Sequence, residues 1–475
     1  MLKKYLAVFL TIALLAVMLV ACGGGDSGST SADSSASSSK SEDSSAAPVN
    51  SESAENTTFD DSESTDSESV EIRAAWWGDT VRNDMYSEIV SRFVSANSGI
   101  TVVCEPMSWS DYWDKLQIQS ASGTAPDYMG MHPQFAADYL RRGVLEPLTQ
   151  YINDGIIDES KFSDSARETG FVDGVQYTFP MGISFTSCFV NVSFLEDELG
   201  ITTIPDRDWT WDDLKTYGLE VREELDAKGL DSTYVFSDIS DTFGHFRFYV
   251  RMFGQEAFDD DGEITFDPEY LEDYFARYDE LRQLRIIPDA ATVTEYAGTT
   301  LEDSMFSRDK VVFHIVPVNQ YKLYCTTFPD KRIEILRIPS MEGKPAPEFP
   351  EGAQFAISSK TTPEKKEAAA KLMNFWLGSE ESYELYGLDQ GVPGNMEMAD
   401  YIETILDEYQ KPIMSFAKHL FEVSTAGSIY PPAGITEIDA AFVSAAEAVR
   451  FGTKTPNEAA EDFFQEAEAI VEKSR

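Results

Sequence analysis

Positive charge is scarce in this sequence: 37 Lys and Arg stand against 83 Asp and Glu, a formal net charge of −46. A polyanionic partner would be repelled, which excludes nucleic acid. The excess is read as a solvated acidic surface. Histidine is scarcer still. His132, His245, His314 and His419 are scattered and show no H-E-x-x-H spacing, so no metal or other cofactor is expected. No G-x-S-x-G elbow and no P-loop occurs, and the chain is read as a non-enzyme. Paired carboxylates do abound, which keeps a secreted glycosidase open; it would need two cleft carboxylates at glycosidase separation. Cysteine is limited to Cys22, Cys104, Cys188 and Cys325. The last three are odd in number and widely spaced, which is not a disulfide framework. Cys104 and Cys188 lie in strand-like apolar runs and are expected as buried thiols, with one disulfide plus one free thiol left open.

The one long apolar run stands at the start. Met1–Lys4 is positive, Tyr5–Val20 is apolar, and the run is too short and too abruptly ended for a membrane span. It closes on Leu19-Val20-Ala21-Cys22, followed by glycines, which resembles the lipobox of bacterial lipoproteins. That resemblance implies that residues 1–21 are removed as a signal peptide and that Cys22 carries lipid, palmitate included. Residues 23–70 are almost all Ser, Ala, Asp, Glu and Thr, with Phe59 as the sole aromatic. Such a stretch cannot bury enough apolar surface to offset its ordering entropy, so residues 22–70 are expected to be a disordered, self-repelling tether. No second apolar run long enough to span follows. The expectation is a folded body tethered at the extracellular face of the cell membrane.

About four hundred residues remain, more than one hydrophobic core usually holds, which suggests two lobes. The body opens on a strand from Val70 through Trp76 and Trp77, stopped by Gly78. A helix follows with Met85, Ile89, Val90 and Phe93 at helical spacing. A strand at Ile100–Cys104, a loop at Glu105–Ser108 and a helix from about Ser110 come next. A strand at Asp127–Met131 and a helix around Phe135–Arg142 complete the series. This alternation predicts an α/β fold with a parallel sheet and ligand contacts beyond the carboxyl ends of its strands.

Several ordered motifs then resemble one family. They include Phe93-x-x-x-Asn97-x-Gly99-Ile100-x-Val102, Tyr112-Trp113-x-Lys115-Leu116 and Ala121-Ser122-Gly123-Thr124-Ala125-Pro126-Asp127. Asp173-Gly174-Val175-Gln176-Tyr177-Thr178-Phe179-Pro180, Trp209-Thr210-Trp211-Asp212-Asp213-Leu214 and Gly391-Val392-Pro393 continue the series. Together, from about Glu71 to the C terminus, they resemble the family 1 extracellular solute-binding proteins, typified by maltose-binding protein. The resemblance implies a two-lobed periplasmic-binding-protein-like fold of the class II type, with the ligand in a cleft between lobes. It implies lobes of residues 71–183 plus 351–395 and 184–350 plus 396–475, with crossings near Met181–Phe185, Pro345–Gly352 and Asn395. It also implies capture of a sugar or oligosaccharide and its delivery to ABC transporter permease subunits, by a protein expected to act as a monomer.

A sugar site needs aromatic faces for the C–H surfaces of the rings and planar polar groups for the hydroxyls. Trp76 and Trp77 point to opposite faces of their strand, one into the core, and Trp77 is the candidate for the cleft. Asp79 is either a hydroxyl ligand, where the resemblance places one, or a helix N-cap. Trp109 follows the second strand, and His132 and Gln134 follow the third. Met131, Gln134 and Ser184 depart from the maltose-binding pattern, which argues against a maltodextrin. Ser184 and Phe185 sit at the first crossing, where hinge packing is the alternative. Phe243 and His245 open a helix, Asn319 follows the apolar run Val311–Val316, and Tyr430 and Glu437 flank a Pro-Pro-Ala-Gly turn. A non-sugar solute stays open as well. A polyamine would need several cleft carboxylates, and a phosphate ester or peptide would need arginines such as Arg247 and Arg251, or helix N-termini.

Overall fold

Trp76 and Trp77 leave opposite faces of the first strand, β1 (Val70–Trp77), and each enters a different core. Trp76 is buried with Ile72 and Ala74 and meets Tyr86 and Trp376 edge-on at 5.7 and 6.1 Å. Trp77 packs on the other face beside Ala75. The two-residue period of a sheet buried on both sides produces this division.

The computed structural model describes residues 69–474 apart from 173, 260, 261, 300, 345, 425–430 and 433, and apart from the side chains of Gln134 and Ser165. Cys22, the signal peptide, nearly all of the tether and Tyr430 therefore lie outside the described residues. No helix among them is long and apolar enough to cross a membrane.

From β1 the chain enters helix α1 (Thr80–Ala96), then β2 (Ile100–Met107), α2 (Trp109–Ser122), β3 (Tyr128–Met131) and α3 (Pro133–Arg141). Ser108 caps α2, its hydroxyl accepting from the Asp111 amide at 3.3 Å. Strand β2 runs three residues further than the sequence suggested. Its parallel register with β1 continues to Trp77 opposite Met107. Pro106 is tolerated there because β2 is an edge strand, where a missing N–H interrupts no second ladder.

The short hairpin strands β4 (Phe171–Val172) and β5 (Val175–Gln176) lead to β6 (Thr178–Pro180). The chain then enters a second sheet with β7 (Thr186–Asn191), α4 (Trp211–Ala227), β8 (Tyr234–Phe236), α5 (Phe243–Arg251), α6 (Pro268–Gln283), β9 (Val311–Pro317) and β10 (Ile333–Leu336). A capping box between Thr210 and Asp213 starts α4. Strand β11 (Gln354–Ile357) returns to the first sheet. Helices α7 (Pro363–Gly378), α8 (Gln410–Val423), α9 (Ile435–Arg450) and α10 (Pro456–Ser474) follow, among shorter ones.

Two mixed sheets result, ordered β2-β1-β3-β11-β6 and β10-β7-β9-β8. The first three strands are parallel as the alternation predicts, while β11 enters antiparallel between β3 and β6. The fold is two-lobed, one lobe on each sheet. Helices α9 and α10 pack on α6 over one face of the second sheet. Where the chain passes between lobes, Ser184 bridges Glu351 and Ile183 bridges Val392. Backbones there lie so close that a Cβ on Gly391, at φ +102°, would collide with the Ile183 carbonyl oxygen. Cys104, Cys188 and Cys325 are all free thiols, the last two buried.

Candidate binding cleft

Two adjoining cavities separate the lobes. The inner one, of about 470 Å³, runs between His132 and Pro133 at the end of β3 and the opening turn of α5. The outer one, of about 1,100 Å³, lies between α2 and α3 on one side and the start of α9 on the other. Both lie beyond the carboxyl ends of β2 and β3, where open α/β sheets gather loops and helix N-termini.

An aromatic cluster forms the outer wall. Trp109 and Trp113 stand four residues apart on α2, hence on one helix face, with ring centroids 5.5 Å apart. Phe135 of α3 packs on Trp113 at 4.3 Å, and the His132 ring lies 5.5 Å from Trp109. Trp77 sits behind them, 5.1 Å edge-on from Trp109, and braces its indole without lining either cavity. Trp109 stays 42% exposed, so a ring face remains available to a ligand. Polar groups flank this wall. Burial raises the Asp138 carboxyl, and Arg142, 4.0 Å away, pulls it back. Glu437, opposite, accepts from Lys473 at 3.5 Å.

The inner cavity is more tightly enclosed and mixes charge with apolar surface. The Arg247 guanidinium lies 4.9 Å over the Phe349 ring. Burial lowers its pKa, and Glu351 is the strongest of the charges that oppose this. Burial likewise raises the Glu351 carboxyl, countered by Arg247 and by the Thr186 hydroxyl, which donates at 3.4 Å. Asp241 accepts from Arg450 at 2.7 Å. Burial pushes His132 and His245 down to about 4, so both imidazoles are neutral near pH 7.

The sequence candidates divide accordingly. Trp109 and Glu437 line the outer cavity; His132, Phe243 and His245 line the inner one. Asp79 is exposed and caps α1, its carboxylate accepting from the Arg82 amide at 2.8 Å. Ser184 and Asn319 bond each other, and Phe185 is fully buried against Phe421 at 5.2 Å. None of these four, nor Trp77, lines a cavity. Tyr430 and the Gln134 side chain lie outside the described residues. Arg247, singled out for an anionic solute, also lines the inner cavity, while Glu351 and Asp439 of the inner wall and Trp113 and Phe135 of the outer wall were not among the candidates. Trp113 had a signal, its four-residue spacing from Trp109. Glu351 had none, because only the crossing brings it to α5.

Two α/β lobes enclosing ligand-sized, aromatic-walled cavities define a solute-binding protein. The chain belongs to the bacterial extracellular solute-binding protein family, whose profile matches residues 88–414. A putative binding protein of Brucella abortus (strain 2308) is 24% identical over 180 residues, 37% of this chain and 41% of that protein, so the match spans well under half the curated relative's length. Among solved structures, a periplasmic solute-binding protein of Pectobacterium atrosepticum SCRI1043 superposes with a TM-score of 0.75 at 22% identity, over 85% of this chain and 99% of that one. An oligogalacturonide-binding protein of Yersinia enterocolitica, in complex with saturated digalacturonic acid, gives 0.73 at 20% identity over the same shares. An ABC substrate-binding protein of Listeria monocytogenes, in complex with cycloalternan, gives 0.70 at 22%, again over 85% and 99%. At these identities the likeness is one of fold.

Proposed function

We propose that this protein is a lipid-anchored receptor at the extracellular face of the membrane, which captures a sugar or oligosaccharide between its lobes and delivers it to an ABC permease. The observation that carries the reading is the Trp109–Trp113–Phe135 wall of the outer cavity, faced by carboxylates and guanidinium groups. Indole and phenyl faces cover the C–H surfaces of sugar rings at little entropic cost, while the polar groups fix the hydroxyls. The two structural relatives whose complexes hold saccharides support the same class of ligand. Capture proceeds by closure of lobes 71–183 with 351–395 and 184–350 with 396–475 about their crossings, the ligand favouring the closed form.

Thermal-shift measurements against carbohydrates, polyamines, phosphate esters and peptides test the proposal. A saccharide should raise the melting temperature and stay chemically unaltered. Stabilisation by a non-sugar class alone would overturn the ligand assignment, and cleavage of the saccharide would replace capture with hydrolysis.

A further inference from the structure

The charges of the inner cavity narrow the ligand class, given the sugar reading above. Among the described residues that line it, four carry formal charge: Asp241, Arg247, Glu351 and Asp439. Arg450 reaches Asp241 from behind at 2.7 Å and also holds the buried Asp238, with Nε 3.2 Å from its carboxylate. That leaves one cation and two carboxylates facing the cavity, and both Glu351 and Asp439 act electrostatically on Arg247. Both carboxylates thus offset part of the guanidinium charge. The positive end of the α5 dipole, roughly half a charge, offsets only part of the surplus. His132 and His245 add no cation near pH 7.

We propose that the inner cavity takes an uncharged sugar unit and rejects a uronate. A hydroxyl matches the site in a way a carboxylate does not. It donates to Glu351 while its oxygen accepts from Arg247, so one group serves both residues. His245 lines the same wall. Phe248, Phe349 and Pro317 cover the C–H edges. An incoming carboxylate would instead lose its hydration beside two carboxylates that outnumber the one guanidinium of the wall. Rejection here is a matter of repulsion as well as of missing attraction.

Titration calorimetry of the full chain in detergent decides the point. The probes are neutral gluco-, galacto- and manno-configured di- and trisaccharides, each paired with the corresponding uronate. A neutral saccharide should bind, and its uronate partner should bind about 100-fold more weakly or worse, the size expected when like charges meet in an enclosed site. Glu351→Gln and Asp439→Asn each remove one carboxylate charge, and each should narrow that gap by roughly tenfold. Uronates binding as well as their neutral partners would overturn the inference and leave the sugar reading intact. Binding by neither set would overturn the sugar reading itself, and this inference with it. An undiminished gap in both folded variants would overturn the role given to the two carboxylates. Should the variants fail to fold, the wild-type ratio of neutral to uronate affinity still decides.

Discussion

The Ser184 hydroxyl donates to Oδ1 of Asn319 at 2.8 Å, joining the first crossing to the end of β9. Asn319 in turn donates through Nδ2 to the Asp389 carbonyl at 2.7 Å, and Arg82 grips the Asp389 carboxylate at 2.8 and 3.2 Å. Ser184, Asn319, Asp389 and Arg82 therefore form one polar relay from the second lobe to the first helix of the first. Replacing Asn319 by Ala would strand two groups at once, at a cost of about 1–3 kcal/mol for a buried polar atom left without a partner. Ser184→Ala removes only one bond and should cost about 1 kcal/mol. Urea unfolding of both variants without ligand checks this. Two variants as stable as wild type would show that the relay does not brace the hinge.

Local rules made much of the first lobe legible. Strand alternation divided Trp76 from Trp77, and helical spacing placed Ile89, Val90 and Phe93 in the core. Asp79 shows the limit of such rules. A carboxylate just past a strand suits a ligand or a helix cap equally, and only the Arg82 amide at 2.8 Å reveals the cap. The inner cavity was less legible, because its charges come from elements with no local relation. Arg247 rides on α5, Glu351 stands on a crossing and Asp439 on α9. No periodicity links such residues; the return of the chain between lobes does.

Stability should fall as pH drops from about 6.5 towards 4. His132, His245 and His314 are each held near 4 by burial, below their ordinary value of 6.5. The folded state prefers the neutral imidazole, so the contribution is fully present above 6.5 and is lost as pH falls through the folded value. Melting curves across this range should show the decline, and His245→Gln, which cannot titrate, should flatten it. Carboxylates held below their ordinary range, such as Asp238 and Asp208, act at lower pH, whereas Glu348 and Glu351, raised by burial, gain stability on protonation and oppose the decline equally in wild type and variant. Wild type and His245→Gln melting in parallel from pH 7 to 4 would contradict the burial of the His245 ring.

Membrane attachment should depend on one atom, the Cys22 sulfur. Replacing Cys22 by Ser removes the thiol that the Leu19-Val20-Ala21-Cys22 motif offers for lipidation, while leaving residues 69–474 untouched. The variant should move from the membrane fraction to the soluble one, and mass spectrometry of the wild type should find a lipid on Cys22 with residues 1–21 absent. Unchanged membrane retention would assign the attachment to another segment.

Binding energy should concentrate on Trp109 more than on any single charged residue of the outer wall. Its indole is braced by Trp77 and Trp113 at 5.1 and 5.5 Å yet remains 42% exposed, so it is held in place before the ligand arrives. Truncating a buried aromatic anchor at a binding site commonly costs on the order of 2 kcal/mol or more, roughly thirtyfold in affinity. Trp77→Ala should weaken binding less, because it removes the brace and leaves the ring that meets the ligand. Asp79→Ala should act on stability through the lost cap of α1, by about 1 kcal/mol, and leave affinity unchanged. An ionic ligand would behave differently, losing affinity with added salt, since exposed charges are screened over about 10 Å at 0.1 M. Calorimetry of the three variants and the wild type at low and high salt, with the saccharide that stabilises the wild type most, separates these cases. Salt-insensitive binding that Trp109→Ala weakens strongly fits the aromatic wall. Salt-sensitive binding that Trp109→Ala leaves intact would move the ligand from the ring faces to the charges.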